Sequence, residues 1–301
     1  MTTNRAYVIG HLAADAKLDI LKNKTPCVRF CVVVPRSPEH VGARFMPYAG
    51  PDGRLRRDQV PAELKRELND ELQVAGYGPR AALWAEGLSE GTCVAVDGWT
   101  EERRFFDKTV DRYRVVHEIN AVHVITVDVT GVGQAPANWV NVIGRLVKDP
   151  LFEVLQGAIP CLRLRLSVPR SARQVSADTA PFVSPDYQFR RNELPFEVRN
   201  RLIDQLSIAV YGQPALLYSR YLRAEAHVAV AGWTEERRYY DREAKRERRL
   251  QEIHAVTVVC GPGSDFAAGD AYREQLQADG QLTEATLAEA QMPVPEVIYG
   301  D

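Results

Sequence analysis

The chain has 301 residues, of which 45% are hydrophobic and 26% charged, and its formal net charge is −2. This composition is that of a folded globular protein and excludes a disordered chain, and no apolar run approaches the roughly 18 residues that a membrane-spanning helix needs. The length predicts two domains of ordinary size rather than one small core.

The charge is unevenly distributed along the chain. Eight of the 40 acidic residues but one of the 38 basic residues lie within 265–301, so the rest carries an excess of five positive charges. A basic body with an acidic tail favours a polyanionic partner. The opening MTTNRAYVIG has neither the basic start nor the apolar stretch of a secretory signal, which indicates a cytoplasmic protein.

Metal and redox chemistry are not indicated. The five cysteines include no CxxC pair, and the six histidines add no ligand spacing. We therefore expect Cys27 and Cys161, which occupy matching places in apolar runs, to be reduced core residues, and we expect no metal and no cofactor. Gly-rich phosphate loops, HExxH and GxSxG are also missing from the sequence, so we do not expect an enzyme.

The predicted strands begin almost at the N-terminus. In the first half, a period of two, as in Phe30, Val32 and Val34, indicates half-buried strands, and PRAALWAEGL (79–88) indicates a short helix. Five strands with a helix between the third and the fourth is the order of the oligonucleotide-binding barrel (OB-fold), a five-stranded Greek-key fold. The strands are expected near 6–12, 30–34, 72–78, 93–106 and 112–126.

A long segment of about 35 residues separates the second and third predicted strands. It contains Leu64, Leu68 and Leu72, whose i, i+4, i+8 spacing predicts a short amphipathic helix. The segment is therefore expected to be a folded insertion.

The second half repeats the first with a shift of 134 residues. PCVRFCVVVPRS (26–37) aligns with PCLRLRLSVPRS (160–171), and the string GWTEERR occurs both at 98–104 and at 232–238. A repeat of this extent means two copies of one domain. The predicted fold is mostly β, with two tandem OB-fold barrels, each with a long insertion between strands 2 and 3, and a short acidic helical segment at the C-terminus. The expected domains are 1–130, 131–262 and 263–301.

At VIGRLVKDP (142–150), IAVYGQPALLYSRYL (208–222) and HVAVAGWTEERRYYD (227–241) the sequence resembles bacterial single-stranded DNA-binding protein. Two barrels in one chain resemble the duplicated Deinococcus/Thermus form of that family. The resemblance implies sequence-independent binding and protection of single-stranded DNA in replication, recombination or repair, by a nucleoid-associated homodimer with four barrels. The acidic Pro-Phe tip by which the family recruits replication and repair proteins is not recognisable at IYGD.

The family's stacking aromatics fall on Tyr77 and Tyr211 in the third strand, and on Phe105 and Tyr239 near the end of the fourth. Two other aromatic positions of the family fall on non-aromatic residues, near Pro38 and Ala172 and near Glu71 and Gln205, which leaves fewer stacking surfaces. The inserted aromatics Tyr48, Phe182, Tyr187 and Phe189 are candidates to replace them.

Stacking and phosphate binding require flat rings beside fixed positive charges. RRFFD (103–107) and RRYYD (237–241) supply both, and the charged hairpins that follow add further basic residues. The alternative is that the rings close the barrel end while the arginines pair with Glu101, Glu102, Glu235 and Glu236. The predicted DNA contacts beyond the four family aromatics are Arg103, Arg104, Phe106, Lys108, Arg112, Arg237, Arg238, Tyr240, Arg242, Lys245 and Arg246, with Arg36, Arg56, Arg57, Arg170, Arg190 and Arg191 upstream of the third strands.

Trp99 and Trp233, inside the repeated string, have three possible roles: stacking a base, covering the inserted segment, or forming a dimer contact. One different function also remains open. The barrels could form a protein-interaction scaffold of a replication or repair complex without strong DNA binding, because OB-folds support many functions.

Overall fold

The computed structural model describes residues 4–107, 112–127, 137–155, 158–171, 174, 179–182, 190, 193–199, 202–241 and 246–260. Within the long hairpins, at 103–107, 112–116, 237–241 and 246–250, the description covers the backbone only. The predicted acidic tail at 263–301 lies outside the described residues.

The first half forms a closed barrel of five strands with a sixth short strand at its edge. The barrel closes in the order β1-β3-β4-β6-β5-β1, and β4 and β6 are parallel whereas the other neighbours are antiparallel. Its elements are β1 (Asn4–Leu12), β2 (Lys17–Ile20), β3 (Pro26–Pro35), α1 (Ala62–Lys65), β4 (Asn69–Tyr77), α2 (Pro79–Gly87), β5 (Cys93–Asp107) and β6 (Arg112–Thr126), with 3-10 turns at Ala43–Tyr48 and Arg66–Leu68.

The second half repeats this barrel with the order β7-β9-β10-β12-β11-β7. Together the two barrels confirm the predicted pair of OB-folds. The elements are β7 (Ala137–Leu146), β8 (Leu151–Leu155), β9 (Ile159–Pro169), α3 (Phe196–Arg199), β10 (Ile203–Tyr211), α4 (Gln213–Ser219), β11 (His227–Asp241) and β12 (Arg246–Cys260), with a 3-10 turn at Ala180–Phe182.

Alternation of burial explains the strands. In β3, Phe30, Val32 and Val34 are buried in the core, while Arg29 and Cys31 are half-buried on the opposite side. Such a strand buries one side-chain row and leaves the other on the surface. We call this second side of β3–β4 and of β9–β10 the outer face of each barrel.

The barrels join through their first strands. β1 and β7 pair antiparallel with Ala6 opposite Val140, and both residues are fully buried. The pairing merges the two barrels into one twelve-stranded sheet. Both N-terminal strand edges are thereby removed from solvent, which protects them from pairing with other chains.

The insertion of the first barrel is folded, but the amphipathic helix predicted there is wrong. α1 has four residues, and the chain is already in β4 by Asn69, so Leu72 belongs to the barrel core. Leu68 instead joins a small separate cluster inside the insertion, with Val41, Phe45, Leu55 and Val60. This cluster gives the insertion its own core.

Among the described residues, the structure contains no helix long and apolar enough to cross a membrane.

Candidate nucleic-acid interface

The outer face of the first barrel carries three polar side chains in contact. Arg29 in β3 forms an ion pair with Glu118 in β6 at 3.5 Å, and the Tyr77 hydroxyl donates a hydrogen bond to the other oxygen of that carboxylate at 2.9 Å. The side chain of Arg29 is 35% exposed, while that of its partner Glu118 is buried. The face therefore presents a positive group beside a half-buried ring.

The second barrel repeats this arrangement 134 residues later. Arg163 pairs with Glu252 at 3.0 Å, and the Tyr211 hydroxyl donates to the other Glu252 oxygen at 2.9 Å. A second carboxylate, that of Glu153 in β8, accepts a hydrogen bond from Arg163 at 2.6 Å. Arg163 retains 27% exposure, and it is the counterpart of Arg29.

The neighbouring groups on this face keep the arginines charged and the tyrosines protonated. Burial lowers the pKa of Arg29, but the Glu118 carboxylate and the Tyr77 hydroxyl outweigh it, so the pKa is raised. Burial raises the pKa of Tyr77 and of Tyr211, and the neighbouring carboxylates add to the effect. Both phenols are therefore neutral donors at neutral pH, and both arginines are charged.

Sequence reasoning missed these two arginines, although a signal was present. Arg29 and Arg163 occupy the same place in PCVRF and PCLRL and interrupt two otherwise apolar runs. An arginine that occurs in both copies at an outward-facing position of a strand indicates a surface on which a positive charge has a role in binding. Arg165 adds a third positive group on the second barrel, where it contacts Ser207 and Glu102 at 2.6 Å each.

The hairpins predicted to bind DNA are regular ladders that extend past the barrels. In the first, pairing continues to Asp107 opposite Arg112, and in the second to Asp241 opposite Arg246. Glu102 reaches Arg165 of the opposite barrel, so the base of the first hairpin crosses onto that barrel. The backbone of Arg103, Arg104, Phe105, Phe106, Arg112, Arg237, Arg238, Tyr239, Tyr240 and Arg246 lies in these ladders, but their side chains lie outside the description.

Trp99 and Trp233 are buried, with 1% and 2% exposure, which contradicts base stacking, one of the three roles considered for them and the one that would make them DNA contacts. His40 of the insertion stacks on Trp233 with centroids 4.4 Å apart, and His254 lies 3.7 Å from it. A ring that is 2% exposed and stacked against two imidazoles offers no surface to a base. Burial lowers the pKa of His40 to about 4, with help from the nearby His254 and Arg36 charges, so its ring is neutral at pH 7. Of the three roles considered, covering the insertion is the one observed for Trp233.

Arg36 and Arg170 are also buried and cannot reach phosphate, which corrects their assignment as DNA contacts. Arg36 pairs with Asp70 of its own barrel at 2.8 Å and with Glu235 of the other at 2.9 Å. Arg170 lies at the equivalent position in the second barrel and makes the equivalent contacts, with Asp204 and Glu101. The guanidinium of Arg170 also lies 5.0 Å from the ring centroid of Trp99.

Tyr211, predicted as a stacking surface, is 4% exposed because the insertion of the first barrel packs over it. Met46 and Ala43 join Tyr211 in one apolar cluster. This cover withdraws Tyr211 from stacking in the arrangement observed, whereas Tyr77 is half-buried.

The remaining predicted contacts divide into two groups. Arg56, Arg57 and Arg190 are exposed, and among the described residues no hydrogen bond or ion pair links them to the partners of the outer-face arginines. Lys108, Arg191, Arg242 and Lys245 lie outside the described residues, as do the inserted Tyr187 and Phe189.

The described residues of the repeated string serve the fold in two ways: some brace their own barrel, and others contact the opposite barrel. Gly98 and Gly232 sit at bulges, where a Cβ atom would collide with the carbonyl oxygens of Asn120 and His254. Two residues after each glycine, a threonine backbone forms two hydrogen bonds with an asparagine side chain. The Thr100 N–H donates to Asn4 and its carbonyl accepts from Asn4, and Thr234 is bound to Asn138 in the same way. The next residues, Glu101 and Glu235, are the carboxylates bound by Arg170 and Arg36.

Comparison with solved structures confirms the fold. The chain is similar to the wild-type single-stranded DNA binding protein from Thermus aquaticus, with a TM-score of 0.57 and 16% identity, over 87% of this chain and 96% of that one. A deletion mutant of the same protein matches with a TM-score of 0.59 and 15% identity, over 86% and 94% of the two chains. No family model and no curated protein matches the sequence. The resemblance stated from the sequence thus holds for the fold of both barrels together.

Proposed function

We propose that this chain binds single-stranded DNA without sequence preference, as a binding protein and not as an enzyme. The observation that carries the proposal is the outer face, where each barrel presents a partly exposed arginine, and the two arginines, Arg29 and Arg163, lie 134 residues apart in the sequence. The likeness to a protein described as single-stranded DNA binding, across both barrels, supports it.

The proposed mechanism needs no base-specific contact. The side chains of Arg29, Arg163 and Arg165 are 35%, 27% and 21% exposed, and their guanidinium N–H donors suit phosphate oxygens. Each phosphate bound releases counterions, so binding weakens as salt rises. Phe105 and Tyr239 on the hairpins, with Arg103 and Arg237 beside them, remain our proposed stacking sites.

The test is a titration of fluorescein-labelled oligothymidine, about 30 nucleotides long because one OB barrel spans up to about 16. We expect anisotropy to rise with protein at low salt, and the binding constant to fall steeply with added salt. Arg29→Ala combined with Arg163→Ala should weaken binding and flatten the salt slope by about 0.7 per lost phosphate contact.

Arg145→Ala is the matched control for these substitutions, since Arg145 is an exposed arginine on β7, paired with Glu225, outside the outer face. An equal loss in the control and in the outer-face variant would contradict the assignment of the site.

We further propose a homodimer that serves replication, recombination or repair at the nucleoid. A second copy would cover the surface formed by the paired strands β1 and β7. On this surface Tyr7 lies opposite Trp139, both are about 40% exposed, and Ile143 on β7 is exposed as well. Sedimentation equilibrium should give twice the chain mass, and Ile143→Lys should give the monomer.

One observation favours the scaffold alternative. Tyr211, one of the four stacking aromatics that the resemblance implies, is buried, and the buried Trp99 and Trp233 add no further ring for stacking. The oligothymidine titration separates the two functions, because a scaffold would show no saturable, salt-sensitive binding.

A further inference from the structure

The two outer-face arginines differ in the carboxylates around them. Arg29 has one carboxylate partner among the described residues, Glu118 at 3.5 Å. Arg163 has two, Glu252 at 3.0 Å and Glu153 at 2.6 Å. The residue that corresponds to Glu153 is Asp19, one methylene shorter, and the described contacts include no ion pair between Asp19 and Arg29.

The difference changes the charge that an approaching phosphate meets. Arg29 with Glu118 sums to zero, whereas Arg163 with Glu252 and Glu153 sums to −1. Carboxylate and phosphate oxygens compete for the same guanidinium donors. A phosphate at Arg163 must displace one carboxylate or approach a net negative group.

The two carboxylates at Arg163 are not equally displaceable. Glu252 is buried and is also bound by the Tyr211 hydroxyl, so it is fixed in the face. Glu153 is on the short edge strand β8 with 35% of its side chain exposed, so it can rotate into water at little cost. It is thus the group that a phosphate would replace.

We propose that Glu153 occupies the phosphate position on Arg163, and that this makes Arg29 the stronger phosphate-binding residue of these two equivalent arginines. The inference rests on the proposed function. Glu153 then acts as a residue that sets affinity: it lowers the affinity of the Arg163 site without contacting DNA itself. DNA would be held first at Arg29 and reach Arg163 only by displacing Glu153.

The test is a set of substitutions in the full chain, measured with the oligothymidine titration. Glu153→Gln keeps the size and removes the charge, and we expect about fivefold tighter binding, the upper range for a surface ion pair. In the Arg163→Ala background the same change should give no gain. Arg29→Ala should weaken binding more than Arg163→Ala does.

Glu225→Gln is the control, because Glu225 is an exposed carboxylate in an arginine ion pair on another surface. It should change affinity by no more than about 1.5-fold, the screened long-range effect of one charge. Thermal unfolding of each variant identifies any that is misfolded, and Glu153, at an exposed strand edge, is a substitution that the fold should tolerate.

The outcomes separate the inference from the function. If the wild-type chain binds oligothymidine but Glu153→Gln gives no gain, or an equal gain with Arg163→Ala, the inference is overturned and the function stands. A wild-type chain that does not bind overturns both.

Discussion

Arg36, just after β3 of the first barrel, donates a hydrogen bond to Glu235 of the second barrel at 2.9 Å, and both side chains are buried. The reciprocal contact, from Arg170 to Glu101, is 2.6 Å long. Two related ion pairs therefore cross between the barrels in opposite directions. Together with the β1–β7 pairing they fix how the two outer faces stand to each other, and hence the path that one DNA strand would follow.

Arg36→Ala should destabilise the fold strongly. The change leaves Asp70 and Glu235 buried without their cation, and breaking a buried pair in this way costs about 3–5 kcal/mol. Urea denaturation measures the loss. Arg5→Ala removes an exposed pair with Asp97 and should cost no more than about 1 kcal/mol. Similar losses in both variants would show that the Arg36 contact does not stabilise the fold as argued.

The two reciprocal carboxylates should respond to pH in opposite ways. Burial raises the pKa of Glu101 from 4.5 to about 7, despite the opposing Arg170 charge, with Asp204 and Glu118 adding to the rise. At Glu235 burial acts in the same direction, but Arg36 and His254 outweigh it and lower the pKa to about 2. One neighbour that differs between the copies is the residue at position 120 or 254: His254 binds Glu235 where Asn120 binds Glu101.

The raised pKa of Glu101 means that the folded state holds its proton more tightly than the unfolded state. Its stabilising contribution is complete below about pH 4.5 and is lost as pH rises to about 7. The free energy of unfolding of Glu101→Gln, relative to that of wild type, should therefore be higher at pH 8 than at pH 5. Glu235→Gln should lower the free energy of unfolding most above pH 4.5. The loss should be smallest near pH 2, because there the wild-type Glu235 is protonated and no longer stabilises the fold as a carboxylate. Denaturation at several pH values checks both, and parallel profiles would contradict the difference.

Gly98→Ala and Gly232→Ala should each destabilise the protein by about 1–3 kcal/mol, as overpacking does. The new methyl group would meet the carbonyl of Asn120 or of His254, and neither is the end of a flexible side chain. Gly87→Ala is the control, since nothing lies within 4 Å of its added Cβ in α2. Thermal unfolding distinguishes them, and a neutral Gly232→Ala would contradict the assigned role of the bulge.

Aromatic substitutions should separate binding from folding. Phe105→Ala and Tyr239→Ala should each weaken oligothymidine binding by about 1–3 kcal/mol, the value of one stacked base. Trp233→Phe should lower stability but leave the affinity within about twofold, because the ring is buried between His40 and His254. A large affinity loss with Trp233→Phe alone would mean that DNA binding uncovers this ring.

The sequence predicted the fold well because the repeat doubled each signal. Alternation in β3 and again in β9 identified the same strand twice, and the helix between the third and fourth barrel strands appears as α2 and α4. The short β2 was missed because all four of its residues are exposed, so its sequence shows no alternation of burial. The helix expected at Leu64, Leu68 and Leu72 failed because a spacing of four residues also fits the period of a strand.

The site was less predictable than the fold. The letters of GWTEERR show that its residues are kept in both halves, but not whether they face DNA or the other barrel. Contacts such as Arg36 with Glu235, which join residues 199 positions apart, depend on how the two barrels pack. Sequence periodicity reports which side of a strand is buried, and it carries no signal for what covers the other side.

The most direct test of the central claim is competition for labelled oligothymidine bound to the wild-type chain at low salt. Unlabelled oligothymidine should displace the label at stoichiometric concentration, and a duplex of equal length should require far more, because the proposed stacking on Phe105 and Tyr239 needs unpaired bases, which a duplex does not offer. Absence of saturable binding, or equal displacement by the duplex, would contradict a single-stranded DNA-binding function for these barrels.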